Sequence, residues 1–204
     1  MTGDYKALSS FLKVLDLYIV PDLRVLRKIR PQGHKGVEAC TIPTAMFASS
    51  ILDLLGFLIR PPRANKNHTE ENICFACSPK AGLLPAEYDG VSKALVCMFR
   101  HGLMHQIFVK ASGVSKPMET RPLIFYLDRP SPILNVDRFV DDLLEAVQKF
   151  RSLACPNQGN VLAKQVNDRL HQLQKEDLNL LRDIQRKGII KPQAANRITI
   201  LERN

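Results

Sequence analysis

The chain lacks the short motifs that mark several large enzyme classes. It has no glycine-rich phosphate loop ending in Lys-Ser or Lys-Thr, no Gly-x-Gly-x-x-Gly fingerprint and no serine nucleophile elbow. P-loop phosphate chemistry, dinucleotide-dependent redox chemistry and α/β-hydrolase chemistry are therefore not expected. Cysteine is sparse and odd in number: Cys40, Cys74, Cys77, Cys97 and Cys155. With no secretory signal ahead of them, a disulfide framework is not expected either. The opening residues Met1 to Lys6 lack the basic and then apolar regions of such a signal. Nor does any stretch approach about 18 uninterrupted apolar residues. The most hydrophobic segment, Ala45–Ile59, contains Ser49, Ser50 and Asp53 and is followed closely by Pro61. The expectation is a cytoplasmic protein with no membrane partner.

What is present is ordinary globular composition with a basic excess. Of 204 residues, 45% are hydrophobic and 24% charged, which suits one domain (1–204) with a substantial core. Lys and Arg number 29 against 20 Asp and Glu, a formal charge of +9 that favours polyanions such as RNA, DNA or acidic proteins without choosing among them.

Periodicity predicts a mainly α fold, a helical bundle with a short β-hairpin. Phe11, Leu12, Leu15 and Ile19 recur at helical spacing over Ser9–Ile19, and Pro21 can begin a second segment reaching Arg30. A loop around His34 precedes a helix that starts after Thr41 and continues to about Ile59, whose Ile51, Leu54, Leu55 and Leu58 share a face. The polar stretch to Asn72 reads as an exposed loop, and Cys74–Cys77 as a short strand or turn. A central helix is expected from Tyr88 to Phe108, with Val91, Leu95, Met98, Phe99, Gly102 and Ile107 marking its buried side. Leu123–Leu127 and Ile133–Val136 pattern as paired strands. Asp137 is a plausible N-cap for a helix to Leu153, and an amphipathic helix spans Val161–Arg186 with Val166, Leu170, Leu173, Leu181 and Ile184 as its stripe.

One cluster carries chemistry. The central helix reads Arg100-His101-Gly102-Leu103-Met104-His105. In an α-helix His101 and His105 share a face, whereas Arg100 and His105, five apart, differ by about 140°. A histidine titrates near neutrality and can move a proton to or from a ribose hydroxyl or a leaving oxygen. An arginine holds phosphate through a planar fork of donors. With a ribose 2′-hydroxyl as nucleophile, such a set needs no metal. The same triplet can equally hold helices together through polar contacts.

These residues resemble the Arg–polar–three residues–His motif of the HEPN superfamily, the higher eukaryote and prokaryote nucleotide-binding proteins. The resemblance plausibly covers Ala45 to Phe150. It implies a helical bundle and, in active members, a metal-independent endoribonuclease working as a homodimer, with two motifs meeting across the interface. By position, Arg100 would bind phosphate, His105 would serve proton transfer or transition-state stabilisation, and His101 would orient the pair or assist RNA binding. Asparagine is frequent where His101 stands, so this chain departs there from the common pattern. Inactive members keep the bundle alone.

Lys110, Lys116 and Arg121 beyond the central helix, and Arg60, Arg63 and Lys66 before it, could form a basic rim that contacts RNA phosphates. Cys74-x-x-Cys77 has the spacing of half a zinc site, with His68 or His34 conceivable as further ligands. No second pair matches it, and small core cysteines fit as well. No cofactor is expected. The competing reading is a catalytically inactive helical module that binds a regulatory protein.

Overall fold

The computed structural model describes residues 5–29, 40–61, 68–100, 112–117, 121–126, 130–156 and 160–186. Among these the fold is mainly α with one small sheet, as the periodicity predicts. The N-terminal rod is continuous: helix α1 (Lys6–Val14) passes through a π-helical segment (Leu15–Ile19) into α2 (Val20–Lys28). Pro21 therefore does not break the rod. Proline lacks an N–H and its ring crowds the carbonyl four residues back, and the wider π turn lies where that crowding falls. Leu8, Leu15 and Leu23 are fully buried along the rod's inner face.

Helix α3 (Thr41–Ile59) runs through the middle of the fold close to its predicted bounds. It is long and apolar enough to cross a membrane by length and composition, yet 56% of that window is buried inside the protein. Ala45, Ala48, Leu52, Leu55 and Leu58 are all sealed from solvent. Its polar members have local partners: Asp53 accepts hydrogen bonds from Thr69 Oγ1 (2.9 Å) and Asn72 Nδ2 (2.8 Å).

Those two partners lie on a helix that the sequence reading took for loop and strand. Helix α4 (Thr69–Cys77) starts with Glu70 and Glu71 in its first turn, where carboxylates complement the helix dipole. Ile73, Ala76 and Cys77 fall at helical spacing on its buried side. The hydrogen bonds that the half-buried Asp53 accepts from Thr69 and Asn72 favour a helix in so polar a segment. A 3₁₀ turn (Pro79–Ala81) follows and closes on Gly82, whose φ of +65° suits glycine.

The expected hairpin exists and gains a third strand. β2 (Ile124–Phe125) runs antiparallel to β3 (Ile133–Asn135), and β1 (Gly113–Ser115) adds in parallel on the other side of β3. Helix α6 (Val136–Leu153) leaves β3 directly. Its cap is Asn135, whose Oδ1 accepts from the Arg138 amide at 3.1 Å, and not the expected Asp137. Helix α7 (Val161–Arg186) matches its predicted bounds. Ala163, Val166 and Leu170 enter the core, and Asn167 Oδ1 accepts from the Leu8 amide at 3.1 Å. Beyond Leu170 the predicted stripe leaves the body of the fold: Leu173 and Ile184 are half-buried, while Leu180 is 59% and Leu181 42% exposed.

Candidate functional site

Helix α5 (Glu87–Ala94) and the π-helical segment Leu95–Arg100 that continues it carry the chain to the Arg-His cluster. Tyr88, Leu95, Val96 and Phe99 are buried, and Val91 is half-buried. Leu95, Val96 and Phe99, at i, i+1 and i+4, all face the core, a spacing that a helix of either kind provides. Periodicity predicted an unbroken α-helix here because a π segment has no composition signal of its own. The helix is fixed to α6 by two polar contacts. Tyr88 donates its hydroxyl to Asp142 Oδ2 at 2.8 Å, and Arg138 bonds Glu87. Burial, then the Asp142 charge, pushes the Tyr88 hydroxyl well above its ordinary range, so it stays protonated.

Arg100 is the last residue of the π segment. His101 and His105 lie outside the described residues, as do Arg63, Lys66 and Lys110. The remaining members of the expected basic rim do not form a solvated edge. Lys116 is 3% exposed and donates to the Leu26 carbonyl at 2.6 Å, where a cation complements the C-terminal end of α2. Arg60 is buried at the end of α3 and ion-paired to Glu71. Arg121 is half-buried, with its guanidinium 5.1 Å from the centre of the Phe125 ring. Arg60 and Lys116 thus serve the fold, a role that residue type alone could not reveal.

The structure brings together a different set of residues at the junction of α3, α4 and α5. A cavity of about 690 Å³ opens there, walled by Arg60, Glu71, Phe75, Lys80 and Asp89. Helix α7 holds the end of α3 beside it. Gln165 Nε2 donates to the carbonyls of Leu58 (3.2 Å) and Arg60 (2.9 Å), and Arg169 donates to that of Phe57. Three carbonyls at the C-terminal end of α3 thereby find donors, which fixes the backbone from which Arg60 projects. Burial, and next the like charge of Arg60, push the Arg169 guanidinium below its ordinary value. Sequence reading missed this cavity because its residues share no period and come from the end of α3, from α4, from the 3₁₀ turn and from α5.

Cys74 and Cys77 sit three apart on α4. Cys77 is 1% exposed, and burial pushes its thiol up to about 12, the neighbouring Cys74 adding to the effect. It is a neutral core thiol at physiological pH, unlike the thiolate that binds metal or attacks a disulfide. His68 is exposed at the start of α4, and His34 lies outside the described residues. Among the described residues no group of three or more His, Cys, Asp or Glu side chains could hold a metal ion.

Compared with known protein families, characterised proteins and solved structures, the chain matches none.

Proposed function

We propose that this chain is a HEPN-like RNA-binding protein, a cytoplasmic homodimer that cleaves RNA without a metal ion through Arg100, His101 and His105. The observation that carries this reading is the position of the motif. Arg100 directly follows Phe99, which is fully buried, on a helix pinned to α6 through Tyr88 and Asp142. A helix so anchored supplies the rigid base that a catalytic constellation requires. π-helical turns, such as the one ending at Arg100, also recur at functional sites. The mainly α fold is the class that the resemblance implies.

In the proposed reaction the ribose 2′-hydroxyl gives up its proton as its oxygen attacks the adjacent phosphorus. The 5′-oxygen leaves and takes a proton, so a cyclic phosphate and a free 5′-hydroxyl result. His105 moves one of these protons, and Arg100 holds the phosphoryl oxygens on which charge builds. His101 orients the pair. Two copies meeting at their motifs would let Arg100 of one face His105 of the other, overcoming the angle that separates them within one α-helix. The experiment is RNA cleavage in EDTA by the intact chain and by Arg100→Ala and His105→Ala, with folding checked by circular dichroism. Cleavage by the intact chain and its loss in both variants supports the reading, and undiminished cleavage in both rules out the site.

One observation favours a second reading, a catalytically inactive module that binds a regulatory protein. The far half of α7 presents Leu178, Leu180 and Leu181 to solvent at 54%, 59% and 42% exposure. Leu181, eleven residues beyond the buried Leu170, lies within about 20° of it around the helix, where a partner helix would cover it. Absence of cleavage across diverse RNAs, together with stable binding of a partner through α7, would select this reading.

A further inference from the structure

We propose that the cavity between α3, α4 and α5 is a subsite for one nucleoside monophosphate unit, its base against Phe75 and its phosphate beside Lys80. The inference rests on the RNA-binding reading, but the pocket stands on its own geometry.

Size sets the first limit. At about 690 Å³ the cavity lies within the range of small-molecule sites and accommodates a mononucleotide. Its walls are chemically divided. Phe75, half-buried on α4, offers an aromatic face beside Pro61 and Pro79. A planar ring packs against such a surface, and stacking of a base on an aromatic side chain tolerates any base. Lys80, exposed on the 3₁₀ turn, supplies the cationic side, while the buried Arg60 is already ion-paired to Glu71.

The same walls carry Asp89 beside the Arg60–Glu71 pair, so Lys80 faces a carboxylate across the cavity. That balance admits one anionic group at Lys80 and opposes a chain of them. A monophosphate fits, whereas a triphosphate would bring its outer charges against a carboxylate. The phosphate can belong to a free nucleotide or to one residue of an RNA strand. The chemistry is shared, and the experiment separates the two.

Full-length protein is titrated by calorimetry or ligand-observed NMR with AMP, GMP, ATP, adenosine, inorganic phosphate and a single-stranded oligoribonucleotide. AMP and GMP should bind, and adenosine, phosphate and ATP should each bind more weakly. Lys80→Glu should weaken AMP binding by about tenfold, the effect of one charged hydrogen bond. Phe75→Leu, chosen because it keeps apolar packing on α4, should weaken it by roughly tenfold through loss of stacking. Failure of both monophosphates to bind at millimolar concentration overturns the proposal. So does AMP binding that neither variant changes, or phosphate binding as tight as AMP. If the oligoribonucleotide competes with AMP, the subsite serves RNA, and if it does not, the site takes free nucleotide. Loss of AMP binding alongside cleavage that still needs Arg100 would remove this subsite and leave the nuclease reading intact. AMP binding in a chain that neither binds nor cleaves RNA would do the reverse.

Discussion

The Lys116 ammonium lies 2.6 Å from the Leu26 carbonyl oxygen, so a residue expected at an RNA surface instead closes the end of a helix. Lys116 follows strand β1, and Leu26 is in the last turn of α2. The contact ties the sheet to the N-terminal rod. Lys116→Met keeps the aliphatic stem and removes the charge. It should cost about 2 kcal/mol of stability, the order of a buried hydrogen bond from a charged group. It should leave the salt dependence of RNA binding unchanged. A weaker salt dependence with unaltered Tm would return Lys116 to the RNA surface.

Helices α3 and α4 touch through backbone at Gly56. A Cβ placed there would lie 2.0 Å from the Asn72 carbonyl oxygen and 2.6 Å from its carbon, and backbone cannot move aside as a side chain end can. Gly56→Ala should separate the helices, disturb the Asn72–Asp53 bond and cost about 3 kcal/mol or more, at the upper end of overpacking effects. Equilibrium urea unfolding measures this. A change below about 0.5 kcal/mol would mean that the helices are not packed this closely.

Burial raises the pKa of Asp142 above its ordinary value of 3.8, against the opposing pull of the Tyr88 hydroxyl and Arg138. A folded-state pKa raised in this way gives stability that is fully present below pH 3.8 and lost as pH rises through the folded value. Asp142→Asn imitates the neutral form and can still accept from Tyr88. Its stability relative to the parent should therefore increase from pH 3.8 upward and level off above the folded pKa. Carboxyl NMR should place the Asp142 midpoint above 3.8. A midpoint below that value, or a parent that gains on the variant with rising pH, would reverse the assignment.

Legibility from sequence followed the source of each signal. Helices α3 and α7 were readable closely because long amphipathic or apolar periods end at Arg60-Pro61 and begin after Pro156 and Gly159. Helix α4 was not, because it is held by Asp53, which lies on another helix and leaves no trace in the segment's own pattern. The π segment before Arg100 was invisible for a related reason, since its wider turn is defined by backbone hydrogen bonds five residues apart and not by a side-chain pattern. Within the candidate site, residue chemistry was legible at Arg100, His101 and His105, but burial was not. Arg60 and Lys116 look like any surface cation until the chain is folded.

The two halves of α7 should respond differently to the same substitution. Val166→Glu places a charge in a sealed core and should unfold the chain or cost several kcal/mol, in line with burial of an unpaired charge. Leu180→Glu, at a 59% exposed position, should change stability by less than about 0.5 kcal/mol. Thermal melts of both variants compare them directly. A large loss at Leu180 would show that the far half is covered by part of the protein itself or by a second copy.

The central claim is that Arg100 and His105 cleave RNA through the ribose 2′-hydroxyl. Its most direct measurement is the initial cleavage rate in EDTA of one RNA and its 2′-O-methyl counterpart, using the intact chain, Arg100→Ala and His105→Ala. Cleavage of the unmodified RNA by the intact chain should fall at least about a hundredfold in each variant, the lower range of acid–base catalysis. The methylated RNA should resist all three proteins. Equal rates in the intact chain and both variants, or no cleavage of unmodified RNA at all, would contradict the claim.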